Sequence, residues 1–184
     1  MTTSTIAVPS LTAGTWTIDP SHSDVSFSVR HLMVSKVRGS FRRFSGELRI
    51  EKDLEASSVA ATIDMASIDT RDPDRDAHLR SVEFFDVERY PMMTFRSTGI
   101  RRDGDRFVLA GDLEIHGITR PVDLTVEFNG VTVDPLGGRR AGFSATTEIN
   151  RRDFGIDFHM PLDGGGAVVG DKVNVQLEIE AILA

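Results

Sequence analysis

The chain has 184 residues, no cysteine and a formal net charge of -7. That length suits one domain with a substantial hydrophobic core, and the missing cysteines exclude disulfides, iron–sulfur clusters and thiol catalysis. The clearest basic runs, Arg42-Arg43, Arg101-Arg102, Arg139-Arg140 and Arg151-Arg152, are isolated pairs on an acidic chain. They read as solvated loop or outer-face residues, not as a nucleic-acid surface.

Residues 1–14 (MTTSTIAVPSLTAG) contain no Lys or Arg, no sustained apolar stretch and a proline in the middle. They read as a flexible arm ahead of a single domain over 15–184. A secretory leader needs a basic start and an apolar stretch of about seven to fifteen residues. No other segment approaches the ~18 apolar residues of a membrane span. The expectation is a soluble, cytoplasmic protein without stable membrane insertion.

Beyond the arm the chain alternates apolar and polar residues. A short strand covers Thr15–Ile18 and turns at Asp19-Pro20-Ser21. In the next, Val25, Phe27, Val29 and His31 share one parity, and successive strand side chains point to opposite faces. A second long strand runs from Arg38 to Glu51, where Phe41 and Phe44 sit on opposite parities and predict a bulge. Val59, Ala61, Ile63 and Met65 form the inward side of a third, with Ile68 off parity.

Alternation stops between Asp72 and Tyr90 (DPDRDAHLRSVEFFDVERY). Asp72 followed by Pro73 is a helix start, a capping side chain and then a residue tolerated at the first helical position. Asp76 and Arg80 have the spacing of a pair across one helical turn. Leu79, Val82, Phe84 and Phe85 give the 72–90 insertion an apolar edge. Strands resume at Met92–Ile100, Arg106–Ile115, Val122–Asn129, around Ala141–Ile149 and at Lys172–Leu183, with residues 116–121 as a tight connection and Gly164–Gly166 in a mobile loop.

The reading is all-β: about eight long antiparallel strands closed into a barrel, with one short helical insertion. An eight-stranded barrel is the size that side chains just fill or that holds one small ligand. Gly46, Ala61, Gly111, Ala145, Thr147 and Ala181 all fall on inward positions. They either leave volume for an apolar ligand or alternate with large residues to fit the taper. The candidate pore lining is Phe27, Val29 and His31 from the first long strand, Phe41, Phe44 and Ile63 from the next two, and Leu79, Phe84 and Phe85 from the insertion. Phe95, Phe107, Leu113 and Ile115 join from the middle strands, and Phe143, Ala145, Ile149, Leu177 and Ile179 from the last two.

None of the five histidines makes a zinc-binding HExxH pattern. His22, beside Asp19, Ser21, Ser23 and Asp24, reads as a turn whose side chains bond local backbone. His31 reads as a core histidine satisfied by one hydrogen bond, or as a polar contact for a ligand headgroup or quinone carbonyl. His116 reads as a turn residue.

The phrases TWTIDPSHSDVSFSVRHLMVSKVRGSF, FFDVERYPMMTF and GDLEIHGITRPVDL resemble the YceI-like family, lipocalin-like proteins associated with polyisoprenoid binding. The resemblance runs from about Thr15 to Ala181, and NRRDFGI around Asp153 resembles a motif closing the barrel. It implies a lipocalin-like barrel whose pore takes a long isoprenoid tail, as in polyprenyl phosphates or isoprenoid quinones. Many members are periplasmic and begin with a signal peptide. The function expected is binding, sequestration or transport of such an amphiphile, with no enzymatic step, no metal, no cofactor and an isoprenoid lipid as ligand. The alternatives are an enzyme acting on a small amphiphile through His22 or His31, and a filled barrel used as a protein-interaction module. The wet outer faces leave room for a homodimer.

Overall fold

The computed structural model describes Val8, residues 10–163 and residues 168–184. Of the arm, residues 1–7 and Pro9 lie outside the described residues, as do the glycines of the 164–166 loop. Its described part is tied to the barrel at Leu11, which is buried, and at Thr12, whose carbonyl accepts the indole N–H of Trp16 at 2.9 Å.

Strands β1 (Gly14–Ile18) and β2 (Asp24–His31) are two halves of one bent strand. Both pair with the same long strand, β11 (Val169–Leu183), β1 along its end and β2 along its beginning. The bend between them is a single helical turn at Pro20–His22, where Asp19 accepts from the Ser21 N–H at 3.0 Å. A second bent strand is made by β3 (Ser35–Phe41), paired to β2, and β4 (Phe44–Ile50), paired to β1, with no helical turn between them. The opposite parities of Phe41 and Phe44 reflect a break at Arg42-Arg43, not a bulge within one strand. Ser67 stitches that break: its carbonyl accepts from the Arg42 N–H and its Oγ from the Arg43 N–H.

After β5 (Ser58–Asp64), one helical turn at Met65–Ser67 resets the phase, so off-parity Ile68 begins a two-residue β6 (Ile68–Asp69) paired to Phe41. The helix α1 (Pro73–Arg80) starts as read, with Asp72 Oδ1 accepting from the Asp74 and Arg75 N–H groups, each at 3.1 Å. The Asp76–Arg80 pair does not form. Asp76 instead turns inward and accepts from both the N–H and the hydroxyl of Thr70, because a buried carboxylate needs fixed donors.

Strands β7 (Met92–Asp103), β8 (Arg106–Ile115), β9 (Ile118–Val133), β10 (Arg139–Asn150) and β11 form a meander. The connection read over 116–121 shrinks to two residues. His116 (φ 56°) and Gly117 (φ 74°) both occupy left-handed backbone, the geometry of a tight hairpin turn. Every pairing is antiparallel, and the order β1-β4-β5-β7-β8-β9-β10-β11 closes on itself through β11 and β1. Counting each bent pair once, the wall has eight strands. It is an antiparallel β-barrel with one short helix.

Candidate functional site: an apolar cavity along the barrel axis

Three buried clusters occupy the interior. Trp16, Leu48, Ile50, Leu54 and Phe107 fill one end. Phe95, Leu109, Leu124 and Ala145 form a belt around the middle. Phe41, Ile63, Ile68, Phe84, Ile115, Phe154 and Ile156 fill the other end. Between them runs a cavity of about 290 Å³ that touches members of all three clusters. That is the lower bound of the volumes typical of small-molecule sites. Its wall is apolar except for Ser26, Thr147 and Arg151.

Fifteen of the eighteen candidate lining residues are on this wall: Phe27, Val29, Phe41, Ile63, Phe84, Phe85, Phe95, Phe107, Leu113, Ile115, Phe143, Ala145, Ile149, Leu177 and Ile179. The other three are not. His31 keeps the inward parity of β2 but sits at the strand's last position, opposite Ser35 and Val169, and is off the wall although Val169 is on it; Val29 is the last β2 residue on the wall. No hydrogen bond holds its ring among the described residues. Phe44, just after the strand break, packs between the two end clusters. Leu79 packs from α1 on the cluster of Phe41, Phe84 and Phe154 without reaching the cavity, whereas Phe84 and Phe85 reach it.

The inward glycines do not create the space. At Gly111 an added Cβ would lie 2.3 Å from the Phe95 ring, and at Gly46 it would lie 2.5 Å from Ile18. At these positions small residues admit a neighbour's large side chain. Ala145 and Thr147, by contrast, border the void itself.

Two arginines depart from the solvated reading. Arg151 is only 5% exposed and lies on the cavity wall. Its guanidinium donates to the carbonyls of Ile156 (2.7 Å) and Gly170 (3.0 Å) and pairs with Asp171 at 3.2 Å. Burial pulls its pKa below the usual arginine value. The side chain thereby ties the 151–156 segment to β11 and closes the barrel floor. No periodicity marks it: next to Arg152 in sequence, only the turn at Arg151–Phe154 decides which of the pair goes inside.

Arg140 bridges three elements, donating to Asp19 and Glu180 at 2.8 Å and to Asp134 at 2.9 Å. His22 bonds the same Asp19 at 2.8 Å. Hydrogen bonds from His22 and then Arg140 hold the Asp19 carboxyl at a pKa of about 2. Asp19, His22 and Glu180 are the residue types of a metal centre, but Arg140 already neutralises the two carboxylates and none of the three lies on the apolar cavity. His116 Nδ1 lies 3.1 Å from the Phe154 carbonyl, and the ring stacks edge-on against Tyr90, so it braces its turn against the barrel floor.

A closed eight-stranded barrel with an elongated apolar interior places this molecule among the lipocalin-like binding folds. More narrowly, the chain belongs to the YceI-like family, whose domain model matches residues 16–181. A UPF0312 protein of Staphylococcus epidermidis is 40% identical over 164 residues, covering 88% of this chain and 94% of its own. Protein YceI of Escherichia coli O157:H7 is 42% identical over 136 residues, 73% of this chain and 71% of the relative. Among solved structures, the YceI protein of Campylobacter jejuni superposes with a TM-score of 0.71 at 29% identity, over 84% of this chain and 90% of that one. A domain of Saccharophagus degradans described as polyisoprenoid-binding shares the fold at a TM-score of 0.70 and 16% identity, covering 92% and 98% of the two chains.

Proposed function

We propose that the barrel binds an isoprenoid lipid, of the polyprenyl phosphate or isoprenoid quinone type, and sequesters or carries it without chemical change. One observation carries this reading: an axial cavity with an apolar wall broken only by Ser26, Thr147 and Arg151. Such a wall gives affinity through area removed from water, roughly 25 cal/mol per Å2, and needs no charged contact along the tail. The polyisoprenoid-binding description of the Saccharophagus fold relative agrees with that chemistry.

Native mass spectrometry of the purified protein, before and after solvent extraction, tests it. A co-purified lipid, or uptake of an added C40 polyprenyl phosphate, is the expected result, and Ala145→Phe should abolish uptake. Because Ala145 borders the void, this substitution should shift stability by no more than about 1 kcal/mol, below the 1–3 kcal/mol of ordinary overpacking. A barrel that takes up no lipid with or without the substitution would be a filled interaction module.

A further inference from the structure

The hairpin joining β2 to β3 breaks two rules at once. His31 O accepts from the Val34 N–H, and the two central residues, Leu32 (φ 51°) and Met33 (φ 60°), both lie in left-handed backbone. That turn favours Asn and Gly, because L side chains with bulk are strained there. The residues present are also apolar and exposed: Leu32, Met33 and, at 82%, Val34. Neither the local backbone nor the core gains from them.

The surroundings give the patch a chemistry. Leu32 donates to the Val168 carbonyl, and Val168 donates to that of Met160, a fourth exposed apolar side chain. From Val25 to Gly46 the chain has five basic residues and no acidic one, in a protein of net charge -7. Arg42 and Arg43 pair with Asp69 and Asp64. Arg30, Lys36 and Arg38 are exposed on the two hairpin arms, and no carboxylate among the described residues pairs with them. Of the acids on the adjoining strand, Asp171 is engaged by Arg151 and Arg152. The tip also stands at one end of the cavity: Val169, a wall residue, pairs with His31 next to the turn.

We infer that this hairpin is a membrane-docking tip: Leu32, Met33, Val34 and Met160 enter the interfacial layer of a bilayer, while Arg30, Lys36 and Arg38 meet anionic headgroups. Apolar residues ringed by basic ones are the pattern of reversible attachment to anionic lipid surfaces. Docking rests on the lipid-carrier reading for its purpose, since it sets the cavity's nearby end against the phase where an isoprenoid dissolves. It does not depend on that reading for its physics.

The test is co-sedimentation of the full chain with phosphatidylcholine vesicles made with and without phosphatidylglycerol. Binding is expected to the anionic vesicles and to weaken as salt rises. Leu32→Asn with Met33→Asn should lower partitioning by about 100-fold. The thermal midpoint should hold or rise, since Asn suits left-handed backbone. Arg30→Gln, Lys36→Gln and Arg38→Gln together should also lower it by about 100-fold, at ~5-fold per charge. A wild-type protein that ignores anionic vesicles, or variants that bind them as well as wild type, would overturn the proposal. Uptake of C40 polyprenyl phosphate, measured separately in the same proteins, should be unchanged. For the wild-type protein, uptake without vesicle binding overturns docking alone, and vesicle binding without uptake overturns the carrier reading alone.

Discussion

The two ends of the barrel are closed by different physics. At the first, the closure belongs to the sheet: β1 is hydrogen-bonded to both β4 and β11, Trp16 is fully buried beneath it, and Arg140 ties β10 to Asp19 and Glu180. At the second, the interior is stopped by side chains on irregular segments. Phe84 follows α1, Phe158 follows the turn at 151–154, and the two rings sit 4.7 Å apart with His78 edge-on to both. Opening the first end breaks ladder hydrogen bonds and partly buried ion pairs. On the α1 side, opening the second separates apolar surfaces, and a ligand tail can replace those contacts; on the other side Arg151 holds the 151–156 segment to β11 through Ile156, Gly170 and Asp171. Under the proposed carrier function, entry is expected on the α1 side of the second end, beside the hairpin tip.

Three measurements would break or sharpen this contrast. The largest effect should come from Trp16→Ala, where a fully buried side chain is lost from a hydrogen-bonded end; about 4 kcal/mol is expected in urea melts. Phe84→Ala at the other end should fall nearer 3 kcal/mol, and a reversed order would remove the distinction.

Arg140→Met should destabilise the fold by less than either core truncation, because Asp19, Asp134 and Glu180 would be left clustered without their common cation. The pH dependence has a definite sign. Asp19 titrates at about 2 when folded against an ordinary 3.8, so its contribution is complete above about pH 4 and disappears as pH falls through 2. Without Arg140, only His22 and the Ser21 N–H would hold that pKa down, and acid unfolding should begin at higher pH. Identical acid limbs for wild type and variant would show that Arg140 does not set it.

The smallest effect should be kinetic. Amide exchange in residues 73–90 should be faster than in Lys172–Leu183, since gating elements come from the low-stability parts of a fold. Adding C40 polyprenyl phosphate should slow it by supplying new contacts to Phe84 and Phe85. Exchange that is slow with and without lipid would make this end fixed packing.

What was legible in the sequence was whatever depends on neighbours two to four positions apart. The alternation of Val173, Val175, Leu177 and Ile179 marks a strand and its inner face, because a strand's side chains have a period of two. The pair Asp72-Pro73 marks the start of α1 for an equally local reason. Even the break between β3 and β4 was visible as the parity conflict of Phe41 and Phe44, though not its form, which depends on Ser67 from a later segment.

Tertiary structure alone decided the rest. That Gly111 is filled by Phe95 depends on a partner on another strand, and so does the burial of Arg151 among the carbonyls of Ile156 and Gly170. Parity faces His31 inward, yet it lies off the cavity wall while its partner Val169 lies on it, which is a property of the closed barrel and of no single strand. Parity assigns a side chain to a face. Only the packing across the barrel decides whether that face meets another side chain, a buried charge or empty space.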